Sequence, residues 1–229
     1  MPQTRSAAIG PPEAPHDCRL CPRLAAFRDD CRARQPTWFN GPVPSFGNAD
    51  ARLLVVGLAP GLKGANRTGR PFTGDFAGEL LYGTLIAFGF AQGTYRADPA
   101  DGIVLTGCMI SNAVRCVPPQ NKPTPQEIAA CRPFLAARIA SLPRLAAVLA
   151  LGRIAHDQTL AALGVRKARH PFAHGARHEV QPGLALYDSF HCSRYNTNTG
   201  RLTEPMFHDV FAAIRAHLSA GPYDAHQNG

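Results

Sequence analysis

The chain is poor in charge, poorer still in lysine, and free of any long apolar run. Only 17% of its 229 residues are Asp, Glu, Lys or Arg against 45% hydrophobic, outside the range of disordered, coiled-coil and low-complexity chains. Its longest apolar stretches, such as Leu145 to Leu151, fall far short of the roughly 20 residues that span a bilayer. Met1-Pro2-Gln3-Thr4-Arg5-Ser6 lacks the apolar stretch of a secretory signal. A soluble, cytoplasmic protein with no membrane partner is expected. There is no G-x-G-x-x-G turn and no G-K-[ST] phosphate loop, which argues against a nucleotide-cofactor enzyme. Seven cysteines is an odd number, so a disulfide framework is not expected, and in a reducing compartment paired cysteines more often hold a metal or do redox chemistry.

What is present is arginine. Lys+Arg of 24 against Asp+Glu of 16 leaves a net charge of +8, and 21 of those 24 are Arg, a side chain suited to bidentate phosphate contacts and stacking. A polyanion is a fitting partner, although an Arg-rich codon usage would leave the same excess. The length suits one domain, here taken as a monomer with a flexible arm at 1–15, a core at 16–217 and a flexible tail at 218–229.

Four strand-length apolar runs stand out: Leu53 to Val56, Ile103 to Leu105, Ala147 to Leu151 and Leu184 to Tyr187. Helical patterns follow them, from Phe76 to Phe88 before Gly89, from Thr124 with a capping box through Glu127, from Arg153 to Leu163 before Gly164, and from about Glu204 to Leu218. Such alternation predicts an α/β fold, a three-layer α/β/α sandwich around a short, mainly parallel four-stranded sheet. Ligands bind such sheets beyond the carboxyl ends of the strands. The segments there are Gly57 to Gly61, Ser111 to Cys116, Gly152-Arg153 and His191 to Asn196.

Cys18-x2-Cys21 and Cys116-x14-Cys131 offer four thiolates in two separated pairs, with Cys131 on the helix opened by Thr124 near an expected kink at Pro133. Four such ligands suit zinc or an iron–sulfur cluster, and spacing does not choose between them. Cys108 and Cys31 read as small buried hydrophobes.

Several segments, taken in order, resemble the uracil-DNA glycosylase superfamily, specifically its iron–sulfur family five, or type B. They are Gly57-Leu58-Ala59-Pro60-Gly61, Asn66-Arg67-Thr68-Gly69-Arg70 leading to Phe72-Thr73-Gly74-Asp75, Asn112-Ala113-Val114-Arg115-Cys116, and His191-x-Ser193 leading to Asn198 through Thr203. The resemblance covers Cys18 through about Thr203. It implies a [4Fe–4S] cluster on the four cysteines, with zinc as the alternative. It also implies a monofunctional enzyme of base excision repair, acting on double- and single-stranded DNA that contains uracil and other deaminated bases such as hypoxanthine and xanthine.

The resemblance further assigns roles. Phe72 would stack on a flipped base and Asn112 would pair with its edge. Asp75 would stabilise the sugar cation and orient water, and His191 would hydrogen-bond the departing base. Gly57, Ala59, Gly61 and Gly74 would complete the base site, and Arg67, Arg70, Ser193, Arg194, Tyr195 and Arg201 would meet the DNA. Arg115 and Lys122 could line the same face, whereas helix arginines such as Arg138 and Arg215 read as solvated charge. Asp75 also stands where a helix N-cap belongs, and Asn112 where a turn residue would. Other branches carry a polar residue after the first motif glycine; Leu58 and Ala59 stand there instead, which implies a broader base range. His191-Cys192-Ser193 lacks the proline usual at its centre. A non-catalytic metal-containing nucleic-acid binder of the same fold is the competing expectation.

Overall fold

The computed structural model describes residues 12–220. In chain order the elements are α1 (Pro22–Arg34), β1 (Phe46–Gly47), β2 (Leu53–Gly57), α2 (Ala65–Thr68), α3 (Phe76–Ala87), β3 (Ala91–Gln92), β4 (Val104–Leu105), β5 (Cys108–Asn112), α4 (Pro125–Ala140), β6 (Ala147–Leu151), α5 (Arg153–Ala162), β7 (Arg177–Gln181), β8 (Leu184–Ser189), α6 (Arg194–Asn198) and α7 (Glu204–Ser219). The main sheet has the order β1-β5-β2-β6-β8-β7. Its central four strands are parallel, and β1 and β7 pair antiparallel at the edges.

The four-strand expectation therefore holds for the parallel centre, and the sheet is completed by two strands whose sequences carry no apolar run. One run is reassigned. Val104–Leu105 pairs with β3 in a separate hairpin, and the sheet strand begins after the turn, at Cys108. Asn112 is thus the last residue of β5.

The sheet is buried on both faces because successive residues of each central strand feed different layers. Leu53 and Val55 pack with Leu81, Leu85, Phe207 and Phe211 of α3 and α7. Leu54 and Val56 pack with Leu135 of α4 and Ala155 and Leu160 of α5. Helix starts follow local chemistry: Thr124 and Glu127 form the reciprocal capping box of α4, and Thr203 caps α7. The α4 helix continues through Pro133 to Ala140.

Both ends of the core reach further than the composition implies. Residues 1–11 and 221–229 lie outside the described residues, but residues 12–15 are not a free arm. Glu13 pairs with Arg115 and Arg138, and Pro12 accepts a hydrogen bond from Arg115. Leu218 is buried and α7 runs to Ser219, so the helix continues past the expected boundary at 217. No helix among the described residues is long and apolar enough to cross a membrane.

Strand β8 carries a buried carboxylate. Asp188 accepts from His156 Nδ1 at 2.7 Å and from His178 Nε2 at 3.1 Å, while His156 Nε2 donates to the His170 carbonyl at 2.9 Å. Both nitrogens of His156 face acceptors, and two imidazoles share the one buried carboxylate. Removing that carboxylate strips both rings of a buried polar partner. Asp188→Ala is expected to lower unfolding free energy by about 3–5 kcal/mol, measured by chemical denaturation.

Candidate active site

The carboxyl ends of β2, β5 and β8 open on a cavity of about 400 Å³, lined among others by Ala59, Gly61, Phe72, Asp75, Asn112 and His191. These residues come from segments far apart in sequence and meet where a parallel sheet binds its ligands. Gly57 and Asn112 are direct neighbours in the β2–β5 register. A side chain at Gly57 would collide with Asn112 Oδ1 and stand 2.6 Å from Phe72 Cζ. Only a bare Cα there lets the amide and the ring share one space.

Phe72 is held in a left-handed backbone conformation, with φ of 53°, unusual for a bulky residue. Its loop is fastened to compensate. Tyr95 donates to the Phe72 carbonyl at 3.1 Å and Tyr82 to the Pro71 carbonyl at 2.8 Å. The Phe72 ring stacks on His191 with centroids 5.9 Å apart. Gly74 and Gly57 support the cavity from behind, and neither lines it.

Asp75 is both the cap of α3 and part of the cavity wall. Its Oδ1 accepts from Gly78 N, while Oδ2 lies over Gly61 and Gly64, where a Cβ on Gly64 would come within 2.5 Å of it. Burial raises its pKa, and the Gly78 and Ala77 N–H groups hold it down. His191 has its pKa pushed down to about 4 by burial, so the ring is neutral at neutral pH. Asn112 is buried, and its Oδ1 has no hydrogen-bond partner within the protein. A buried polar atom without a partner, on a residue that lines the cavity, is a place where a ligand group can complete the hydrogen bonding.

The basic residues divide. Arg67, Lys122, Arg194 and Arg201 are exposed, with Arg194 over the Phe76 ring and Arg201 over Phe190. Ser193 caps α6 and lines the cavity, and Tyr195 is 71% exposed beside it. Arg70 is not available to DNA. It is buried in a two-point pair with Asp101 at 2.7 Å, donates to Thr73 at 2.7 Å, and holds the Asp101 carboxyl well below the usual carboxylate range. Arg115 is likewise buried, against Glu13. Arg138 turns inward to Ser45 and Glu13, correcting its reading as a solvated charge. Phe76 and Asn121 also line the cavity, and Gly64 lies behind Asp75, although the sequence assigned none of the three a role in the base site.

The four cysteines Cys18, Cys21, Cys116 and Cys131 line one small separate cavity between α1 and α4. Burial pushes the Cys21 thiol up to about 11 and Cys131 up to about 12. Yet cationic and N–H donors face the sulfurs: Arg28 Nη1 is 3.6 Å from Cys116 Sγ and Arg115 N is 3.3 Å from Cys131 Sγ. Arg28 is 1% exposed and meets no carboxylate among the described residues. A buried permanent cation beside four thiols fits a metal-held, anionic thiolate set. Cys31 and Cys108 are buried away from this group, as expected. Cys192 is fully buried with Sγ 3.5 Å from the Ala77 carbonyl, so it fills the place of the proline as a packed hydrophobe under α3.

The sheet topology and a cavity walled by an amide, a carboxylate, a phenyl ring and a neutral imidazole define an α/β protein with a ligand site at the carboxyl ends of its parallel strands, and comparison gives its family. The profile of the uracil DNA glycosylase superfamily matches residues 44–215, and the chain belongs to that superfamily. Within it the likeness is to the type-5 branch. A type-5 uracil-DNA glycosylase of Thermus thermophilus is 47% identical over 199 residues, covering 84% of this chain and 90% of that protein. One from Pyrobaculum aerophilum is 38% identical over 211 residues, covering 90% of each. A type-4 uracil-DNA glycosylase of Thermotoga maritima aligns over only 94 residues, 41% of each chain, at 42% identity.

The close approach at Gly57 is directly testable. Gly57→Ala is expected to fold with a loss of about 1–3 kcal/mol from overpacking and to lose ligand binding in the cavity. Thermal unfolding together with affinity for uracil-containing oligonucleotide separates the two effects.

Proposed function

We propose that this protein is a monofunctional DNA glycosylase of base excision repair that removes uracil, and other deaminated bases, from double- and single-stranded DNA. Working alone in the compartment that holds the DNA, the cytoplasm, it would hydrolyse the N-glycosidic bond and leave an abasic site. The observation that carries this reading is the open Asn112 Oδ1 beside Phe72, with Asp75 across the same cavity.

A base inside a duplex cannot be reached, so the nucleotide must be extruded at a cost of a few kcal/mol. Phe72 supplies a flat face for the extruded ring. Asn112 supplies an acceptor for a ring N–H, and an amide can also donate to an adjacent carbonyl. Uracil, hypoxanthine and xanthine share that N–H/C=O edge; cytosine and adenine do not. With Leu58 and Ala59 presenting no polar selector, the cavity has chemistry for the shared edge and room for a purine.

Bond cleavage builds positive charge on the sugar and negative charge on the departing base. Asp75, ionised, stabilises the first and orients the attacking water; its second function as helix cap fixes the carboxylate in place. Neutral His191 donates to the second without bringing a charge of its own. Cys18, Cys21, Cys116 and Cys131 would hold a [4Fe–4S] cluster, which would tie the N-terminal segment to the β5–α4 connection that follows Asn112. Zinc would meet the same donor set, and visible absorbance bleached by dithionite distinguishes the cluster from it.

The test is strand scission by alkali after incubation with a duplex bearing one uracil. The wild type is expected to yield scission, Asp75→Ala to lose it, and His191→Ala to slow it by roughly two to four powers of ten. A mobility shift without scission would overturn the proposal in favour of a binding protein, and an SDS-resistant adduct in favour of a covalent trap. The single-turnover rate should fall as pH drops through the raised pKa of Asp75, since the carboxylate is the active form. His191 should contribute no limb above pH 5, its pKa lying near 4.

A further inference from the structure

Outside the base cavity and the cysteine group, three donor side chains from different elements converge. His156 of α5, His178 of β7 and Asp188 of β8 each bring one ligand-type atom into a common space, all within 4.8 Å of one another. None of the three lines the base cavity. They lie far apart in the chain, so no spacing motif marks them. His156 and Asp188 are buried, whereas the His178 side chain keeps 11% exposure at the rim.

The carboxylate is divided between the two rings, Oδ1 meeting His156 Nδ1 at 2.7 Å and Oδ2 meeting His178 Nε2 at 3.1 Å. No Lys or Arg among the described residues pairs with Asp188. His156 is oriented from behind, because its Nε2–H donates to the His170 carbonyl at 2.9 Å. A ring N–H held by a backbone carbonyl is the arrangement that aims the opposite nitrogen at a metal. With that proton on Nε2, Nδ1 turns a lone pair towards a carboxylate oxygen, and the contact needs a cation between them, a proton or a metal ion. Phe172 stands edge-on to His156 at 5.6 Å and adds an apolar wall. The His170 ring, half-buried and 5.4 Å from the His178 ring, is a further imidazole beside the group.

We propose that His156, His178 and Asp188 form a structural metal site, distinct from the cysteine set, that takes a zinc ion, with the His170 imidazole or a water as fourth ligand. Magnesium and calcium, which take oxygen ligands, do not suit two imidazoles; zinc takes this donor set. Zinc bonds of about 2.0–2.2 Å at a tetrahedral angle set donor atoms roughly 3.3 Å apart, so entry of the ion opens the 2.7 and 3.1 Å contacts by a fraction of an ångström. His178 lies on the edge strand β7, where such an adjustment meets least resistance. The ion would bind α5, β7 and β8 together just before the loop that carries His191.

The experiment dialyses the purified full chain against zinc chloride and counts bound zinc by mass spectrometry, for the wild type, His178→Gln and Asp188→Asn. His208→Gln is the control, a histidine of α7 paired with Glu204. The wild type and the control are expected to hold one zinc more than the two site variants, whose affinity for that ion falls by more than about 100-fold. Zinc should raise Tm further in the wild type than in His178→Gln. Cobalt(II) then identifies the ligands: the spectrum of the wild type minus that of His178→Gln should show visible d–d bands without a thiolate-to-cobalt band.

A wild type that retains no zinc after dialysis, or zinc content and affinity equal in wild type and His178→Gln, would overturn the site and leave the three groups as a hydrogen-bonded brace. A thiolate band in the difference spectrum would overturn it as well, by assigning the ion to the cysteines. If Asp188→Asn fails to fold, His178→Gln, altered only at the rim and checked by far-ultraviolet circular dichroism, carries the comparison. Excision activity enters none of these outcomes, so the site stands or falls apart from the glycosylase reading.

Discussion

Everything at the site depends on one approach between two backbones and two side chains. β2 ends in Gly57 beside Asn112, the last residue of β5, and the missing Cβ of that glycine is filled by the Asn112 amide and the Phe72 ring. Parallel pairing fixes Asn112 at the carboxyl end of β5, where its side-chain oxygen has no hydrogen-bond partner within the protein. The cost of such an unmet acceptor is about 1–3 kcal/mol. Phe72 adds strain by sitting at positive φ. A fold carries such costs where the geometry serves a ligand.

Much of the remaining chain keeps that geometry rigid. The buried Arg70–Asp101 pair, lying against Tyr82 and Phe46, anchors the loop that carries Phe72 and Asp75. The Asp188 network fastens β8 just before His191, and Gly175 and Ala176 clasp the Asp188 backbone. On the far side of Asn112, the backbone passes through Ala113 and Val114, bonded to Gly57 and Leu58, directly to Cys116. A metal held by the four cysteines would thus stiffen the segment that follows Asn112. The chain's 21 arginines are accordingly divided between buried ones that brace the scaffold and exposed ones that leave positive charge at the surface.

The sequence disclosed the parts whose chemistry is local. Apolar runs marked three of the four parallel strands, and Thr124 and Glu127 marked the start of α4, because strand burial and helix capping are decided by neighbouring residues. Three residues that meet at the cavity were legible as motifs, since Asp75, Asn112 and His191 each stand at the end or start of a recognisable element. What stayed hidden depends on distant partners. The inward turn of Arg70 and Arg115 is fixed by Asp101 and Glu13, 31 and 102 residues away in the chain. β1 and β7 are edge strands held by pairing and carry no apolar run. The shift from Ile103 to Cys108 came from a short hairpin that an apolar count cannot tell from a sheet strand.

The central claim is that Asn112 reads the N–H edge of an extruded base through an acceptor the protein leaves open. Its most direct test replaces that donor in the substrate. Excision of 3-methyluracil, whose ring N–H is methylated, should be compared with that of uracil in the same duplex. A site built around a hydrogen bond rejects a base lacking it by about 10⁴-fold in kcat/KM, and an Asn112→Ala variant should lose most of that discrimination. Equal excision of the two bases by the wild type would contradict the account.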